Sequence, residues 1–137
     1  MDEKSIELAL SRIPYAATLG VKPLLMGKKF TLILPFVKNN IGNPLLPALH
    51  GGAIGGFMEI AAITESIIRR PNEKFPKPIG INVNYLRRGN PVDTYARAKI
   101  TRQGTRVTNV RVTAWQDDID DPIATLHGHF LTAQSEN

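Results

Sequence analysis

The stretch LPALHGGAIGGFMEIAAITES, Leu46 to Ser66, decides the fold. His50 and two glycines lead into a mostly apolar run whose spacing predicts a helix from about Gly51 to Arg70, about 30 Å long. Glu59 sits in the middle of it, with Gly55 and Gly56 one turn earlier. Glycine inside a helix costs about 0.5–1 kcal/mol relative to alanine. A charge on an apolar helix costs more unless it is paired or its face is open. Counting back from Glu59 by three, four and seven residues reaches Gly56, Gly55 and Gly52, so these glycines share its face. Ile54, Phe57, Met58 and Ala61 make an opposite, apolar face suited to packing on a sheet. Gly51 and Gly52 begin the helix, where amide N–H groups lack intrahelical partners and the macrodipole is positive, so an oxyanion fits there. The bland reading is a close helix crossing with an ion-paired or solvated glutamate. Free amides, a bare stripe and a carboxylate two turns further on point instead to acyl transfer.

Outward from the helix, the chain divides in two. Upstream, MDEKSIELALSRIP reads as a short amphipathic helix with Ile6, Leu8, Ala9, Leu10 and Ile13 available for packing. Two strand-like runs follow, Val21–Met26 and Lys28–Phe36, around Gly27. Residues 37–49 hold three asparagines, a glycine and two prolines, and are expected to be irregular. Downstream, RPNEKFPKP ends the long helix. From Ile79 the period becomes two, with Ile79, Ile81, Val83 and Tyr85 alternating with smaller or polar residues. Strands follow around Thr94–Thr101, Val107–Trp115 and Ile123–Thr132, joined by an RQGT turn and an acidic DDIDDP turn, which reads as an antiparallel meander. A long apolar helix must be wrapped, and the available wrapper is a curved antiparallel sheet. The fold class is α+β, one domain over residues 1–137.

Composition narrows the function. The chain has 137 residues, 42% hydrophobic and 21% charged, enough for a real core and typical of a soluble globular protein. No uncharged apolar run approaches the ~18 residues of a spanning helix, and the acidic N-terminus is unlike a signal peptide, so a cytoplasmic location is expected. With no cysteine there is no disulfide and no thiol nucleophile. Net charge is +5, and eight of the nine arginines lie from Arg69 onward. Without a continuous basic run or aromatic interleaving, nucleic acid is disfavoured and a phosphate-bearing small molecule is the sharper candidate. Arg87 and Arg88 close a strand, and Arg102 and Arg106 flank the QGT turn; the guanidinium fork suits phosphate oxygens. His127 and His129 share a strand face without a third ligand, and the aspartates of DDIDD lack the spacing of a calcium loop, so no metal is expected. Trp115 and Tyr85 read as core or interface residues.

The segment HGGAIGGFME resembles the signature of the hotdog-fold acyl-CoA thioesterases of the PaaI-like type, HGG with an acidic residue nine positions after the histidine. INVNYLRRG, ARAKITRQGTRVTNVRVTAWQDD and DPIATLHGHFL are similar to that family's later strands, and the likeness covers nearly the whole chain. The resemblance implies a single hotdog domain, a long central helix wrapped by the sheet, that hydrolyses an acyl-CoA thioester to a carboxylate and free CoA. It implies that the Gly51 amide holds the developing oxyanion and that Glu59 is nucleophile or general base. Asn43 would orient water or the thioester, and His50 would organise the loop. Gly52, Gly55 and Gly56 would line the acyl channel, with Arg87, Arg88, Arg102 and Arg106 near the CoA phosphates. No cofactor is implied. Acid and loop residues come from different subunits in such enzymes, so the resemblance implies a homodimer, which could pair further into a tetramer. The chain departs from the pattern in having Glu where Asp is common, in having Ile63 where some relatives carry a hydroxyl, and in placing Asn43 seven residues before His50 rather than six. Two rival functions use the same fold: hydration or dehydration of an enoyl thioester, and non-catalytic acyl-CoA binding as a sensor.

Overall fold

A computed structural model describes residues 3–26, 29–37, 49–71 and 74–132. Helix α1 (Glu3–Ser11) and helix α2 (Pro14–Leu19) precede strands β1 (Lys22–Met26) and β2 (Lys29–Leu34). The long helix α3 (Gly51–Arg69) follows, then β3 (Lys77–Tyr85), β4 (Thr94–Gln103), β5 (Val107–Trp115) and β6 (Ala124–Leu131). The expected meander is present: β4 pairs with β5 and β5 with β6, all antiparallel. The six strands form one sheet in the order β1-β2-β4-β5-β6-β3, so β3 crosses over to pair with β6 at one edge. Helix and sheet together are the α+β architecture expected from the sequence.

The sheet faces α3 with every second residue. Leu32 and Leu34 of β2, Ala96 of β4, Val110, Val112 and Ala114 of β5, and Leu126 and Phe130 of β6 are buried against Phe57, Met58, Ile60 and Ala61. The period-two burial of β5 and β6 reports that one face is core and the other is open. Among the described residues, α3 is the helix long and apolar enough to cross a membrane, and 67% of that stretch is buried inside the protein. Its apolar character is used by the core.

The N-terminal segment departs from the sequence reading in two ways. It is two helices rather than one. Pro14, which lacks an N–H and cannot extend α1, instead occupies the first turn of α2. Gly20 ends α2 in the left-handed region at φ 74°, and its N–H bonds back to Ala17 O. Ile6, Ala9, Leu10 and Ile13 are buried as expected, but Leu8 is 67% exposed. At the α-helical period Leu8 falls outside the stripe formed by Ile6, Ala9 and Leu10.

Truncating Phe57 to alanine removes the largest fully buried side chain of α3 and is expected to cost about 3–5 kcal/mol. Leu8→Ala should change stability by no more than about 0.5 kcal/mol. Urea unfolding monitored by circular dichroism checks both, and equal losses would contradict the packing described.

Candidate active site

The first turn of α3 is tied down on three sides. His50 is the N-cap, extended at φ −61° and ψ 130°, and its Nδ1 accepts the Gly52 N–H at 2.9 Å. The tautomer follows: Nδ1 offers a lone pair, so a proton on the neutral ring sits on Nε2. The His50 carbonyl accepts the Ala53 and Ile54 N–H groups at 3.0 and 3.2 Å. From the sheet, Tyr85 at the end of β3 donates its hydroxyl to the Gly51 carbonyl at 2.7 Å. Among the described residues no acceptor meets the Gly51 N–H. One helix-start donor is therefore left over, with its own peptide held firmly from the carbonyl side.

The glycines make these contacts possible. A Cβ at Gly52 would stand 2.9 Å from His50 Nδ1, and one at Gly55 would stand 3.1 Å from the Tyr85 hydroxyl. A Cβ at Gly56 would come within 2.6 Å of the Tyr15 ring on α2. A Cβ at Gly51 would meet the Tyr85 ring at 3.6 Å, ordinary contact distance. The stripe expected to be bare is thus partly roofed by the chain's own rings. Tyr85 covers Gly51 and Gly55, Tyr15 covers Gly56, and both tyrosines are about half exposed.

Glu59 lies one turn after the glycines that these two rings meet. Residues i−4 and i−3 flank a helical position on opposite sides, so Gly55 with Tyr85 lies on one side of Glu59 and Gly56 with Tyr15 on the other. Glu59 is partly buried and has no hydrogen-bond or ion-pair partner among the described residues. Burial pushes its carboxyl pKa up from the ordinary value. The helix holds a second carboxylate that the sequence reading passed over. The Glu65 side chain is only 5% exposed, but it accepts from Arg69 Nε at 2.9 Å, a structural pair one turn apart. Ile63 is buried at the position where a hydroxyl was looked for. Thr64, one residue on, spends its hydroxyl on the Ile60 carbonyl at 2.7 Å, and Ser66 does the same with Ala62. Neither hydroxyl is directed to Glu59.

The four arginines singled out from sequence do not converge. Gly89, which follows Arg87 and Arg88, is buried beside the start of α3, where the Leu49 N–H bonds to its carbonyl. Arg87 makes a two-pronged pair with Asp121, while Arg88 is exposed. Arg102 and Arg106 stand on the β4–β5 turn at the opposite end of α3, where Arg70 donates to the Gly104 carbonyl at 3.4 Å. About 28 Å of helix separates the two pairs. Asn43 lies outside the described residues. His127 and His129 share the outer face, ring centroids 5.2 Å apart, and His129 Nδ1 meets the Asn109 side-chain oxygen. Trp115 is buried and stacks with Tyr95, whereas Tyr85 belongs to the site, a role its place at a strand end did not announce.

Comparison with known proteins agrees with this geometry. The family model described as the acyl-CoA thioesterase N-terminal domain matches residues 43–133, well over half of the chain. A protein from Chromobacterium violaceum is 35% identical, with 97% of this chain and 93% of that one covered and a TM-score of 0.77. A thioesterase described as phenylacetic acid degradation-related, from Ralstonia eutropha, shares the fold at 19% identity, with coverage of 90% and 98% and a TM-score of 0.76. A Bacillus halodurans protein solved with CoA does so at 20% identity, with coverage of 97% and 91% and a TM-score of 0.77. No curated protein matches the chain. With HGG opening α3 and a hotdog sheet wrapped around it, this chain belongs to the acyl-CoA thioesterase family.

Proposed function

We propose that the chain hydrolyses an acyl-CoA thioester to a carboxylate and free CoA, using the Gly51 amide and Glu59. The observation that carries this reading is the coexistence, on one helix face, of an unsatisfied helix-start N–H and an unpaired, partly buried carboxylate. The thioester carbonyl oxygen accepts the Gly51 N–H, which is strengthened by the helix dipole. By one route Glu59 takes a proton from water as the water oxygen attacks the carbonyl carbon. The tetrahedral oxyanion then collapses, the C–S bond breaks, and the proton passes to the leaving thiolate. By the other route Glu59 itself attacks the carbonyl carbon, the C–S bond breaks to release CoA thiolate, and water then cleaves the resulting anhydride, giving the acid, free Glu59 and the proton that the thiolate takes up. His50 serves as the cap that shapes the donor, and Asn43 is assigned to orienting water or thioester. Arg87 and Arg88, which close the segment after β3, are assigned to the CoA phosphates, Arg87 by exchanging its exposed Asp121 partner. Gly52 and Gly55 shape the entrance.

The two catalytic groups act across a dimer. Eight residues of helix place Gly51 and Glu59 about 12 Å apart along the axis, more than a glutamate side chain spans. One chain's amide and carboxylate therefore do not meet on the same carbonyl. Strand β3 supports pairing with a second copy. Among the described residues it is an edge strand bonded to β6 alone, and it carries exposed Ile79 and Tyr85 beside Leu86. In this arrangement Arg102 and Arg106 serve a CoA only if it runs along the partner's α3. The described residues favour neither the hydratase nor the sensor, and an unpaired, partly buried carboxylate weighs against simple binding.

Glu59→Gln should lower thiol release from a panel of short, long and aromatic acyl-CoAs by at least a hundredfold, with CoA binding retained by calorimetry. Both routes need the carboxylate, and burial raises its pKa, so kcat/KM should fall with acidification at a pH above the ordinary carboxylate range. The same shift has a stability sign. A carboxyl raised on folding binds more protons in the native state, so it lowers stability as pH rises from the unfolded pKa through the folded one. At neutral pH Glu59→Gln should therefore be more stable than the parent, with the gain vanishing below the ordinary carboxylate pKa. A parent that unfolds no more easily than the variant at neutral pH would contradict the assignment.

Gly51→Pro removes the proposed donor with little disturbance. Proline is favoured at the first helical position, His50 already has the extended conformation that precedes proline, and the added Cβ meets Tyr85 at 3.6 Å. Its kcat should fall by roughly 10²–10³. Mixing Gly51→Pro with Glu59→Gln chains, then unfolding and refolding them together, should restore about a quarter of parental activity. Half of randomly assorted dimers are mixed, and each holds one intact site. No recovery would place both groups in one chain.

A further inference from the structure

We infer that Tyr85 is a positioning residue for the oxyanion donor, an inference that rests on the thioesterase reading of the site. The Gly51–Gly52 peptide is gripped at both ends. Its carbonyl accepts the Tyr85 hydroxyl at 2.7 Å, and its N–H donates to His50 Nδ1 at 2.9 Å. A peptide held at both poles cannot rotate, so the Gly51 backbone is fixed on its C-terminal side. On its N-terminal side the His50 carbonyl accepts two amides, at 3.0 and 3.2 Å. Hydrogen bonds accepted by a carbonyl polarise the N–H of the same peptide, and that N–H is the free one of Gly51. The donor is therefore both aimed and strengthened, and Tyr85 is the part of this grip that comes from the sheet rather than from the helix.

The glycine at position 55 is built around this contact. Within the helix ladder the Gly55 N–H bonds to the Gly51 carbonyl, so the Tyr85 hydroxyl reaches an oxygen already in use and must approach over Gly55. A Cβ there would stand 3.1 Å from the hydroxyl, tighter than ordinary contact, and would press it off the carbonyl. Tyr85 is also the last residue of β3, the strand at the free edge of the sheet. The hydrogen bond thus couples the position of that edge strand to the aim of the donor. Helix, cap and edge strand meet at one peptide.

Tyr85→Phe keeps the ring over Gly51 and removes only the donated hydrogen bond. Parent, Tyr85→Phe, Gly55→Ala and the double variant are to be assayed with acetyl-CoA, octanoyl-CoA and benzoyl-CoA. Infrared spectra are to be taken with a CoA ketone analogue in which CH2 replaces the sulfur and the carbonyl is 13C-labelled. Tyr85→Phe should lower kcat roughly ten- to hundredfold with KM changed less than about threefold. The red-shift of the bound carbonyl should shrink. Gly55→Ala should do the same without touching Tyr85, and the double variant should lose little more than either single one, since both break the same contact. Thermal unfolding of each variant separates lost fold from lost aim. If the parent hydrolyses at least one thioester while folded Tyr85→Phe keeps parental kcat and carbonyl frequency, Tyr85 has no such role. A parent inert toward all three overturns the thioesterase reading itself, and this inference with it.

Discussion

Bare backbone at the start of α3 is the constraint on which the rest of this structure depends. Three rings from three elements seat on it: His50 from the incoming loop over Gly52, Tyr85 from β3 over Gly51 and Gly55, and Tyr15 from α2 over Gly56. Each glycine weakens the helix by about 0.5–1 kcal/mol relative to alanine. The cap contributes a comparable amount, typically about 1 kcal/mol, and each neutral hydrogen bond about as much. The helix start is therefore close to balanced rather than strained, and the glycines fix which elements lie against it. The N-terminal helices approach on one side of Glu59 and the edge strand on the other.

Burial alone does not make a carboxylate reactive, as Glu59 and Glu65 show on the same helix. Glu65 is the more deeply buried, but Arg69 one turn later meets it, so its charge is compensated and its oxygens are engaged. Glu59 is flanked by glycines and tyrosines that supply it neither a cation nor a donor. It keeps its lone pairs and a raised pKa, the combination a base or nucleophile needs. The neighbouring hydroxyls reinforce the contrast. Thr64 and Ser66 satisfy carbonyls of their own helix, so the polar atoms around Glu59 are withdrawn into the backbone.

The sequence was legible where one element's own period carried the information. The apolar stripe of α3 predicts that helix and its buried face, and the turn-linked runs predict the β4–β5–β6 meander, whereas the period-two run of β3 leaves Ile79 and Tyr85 exposed. Leu8 was misplaced because a short helix offers too few turns to fix the phase of its stripe. Helix α2 is six residues long, too short for any period, yet Pro14 and Gly20 are a start and a stop signal that could have exposed it. The site was legible in part. HGG and Glu59 on one face follow from spacing, but which rings fill the stripe does not. Tyr85 reaches Gly51 across 34 residues and one change of element, and only the pairing of β3 with β6 brings it there. Likewise the arginine pairs look alike in sequence, while the length of α3 sets them far apart.

The basic excess takes a different form from a binding pocket. No strand of the six-stranded sheet carries a carboxylate. On the outer face Lys99 stands opposite Arg111, a pair of like charges. Such pairs weaken a sheet slightly, by tenths of a kcal/mol each, and no acidic side chain on the strands offsets them. Arg97 is held by Thr31 and by the Trp115 ring, which spreads the charge further along that face. The acidic residues gather instead on α1, α3 and the turns, where Asp121 engages Arg87. A positive surface distributed in this way draws a polyanionic thioester toward the protein from any direction. It acts over roughly a Debye length, about 8 Å at physiological salt. Attraction is thereby separated from recognition. The field belongs to the sheet, whereas the free Gly51 N–H and the unpaired Glu59 carboxylate belong to α3.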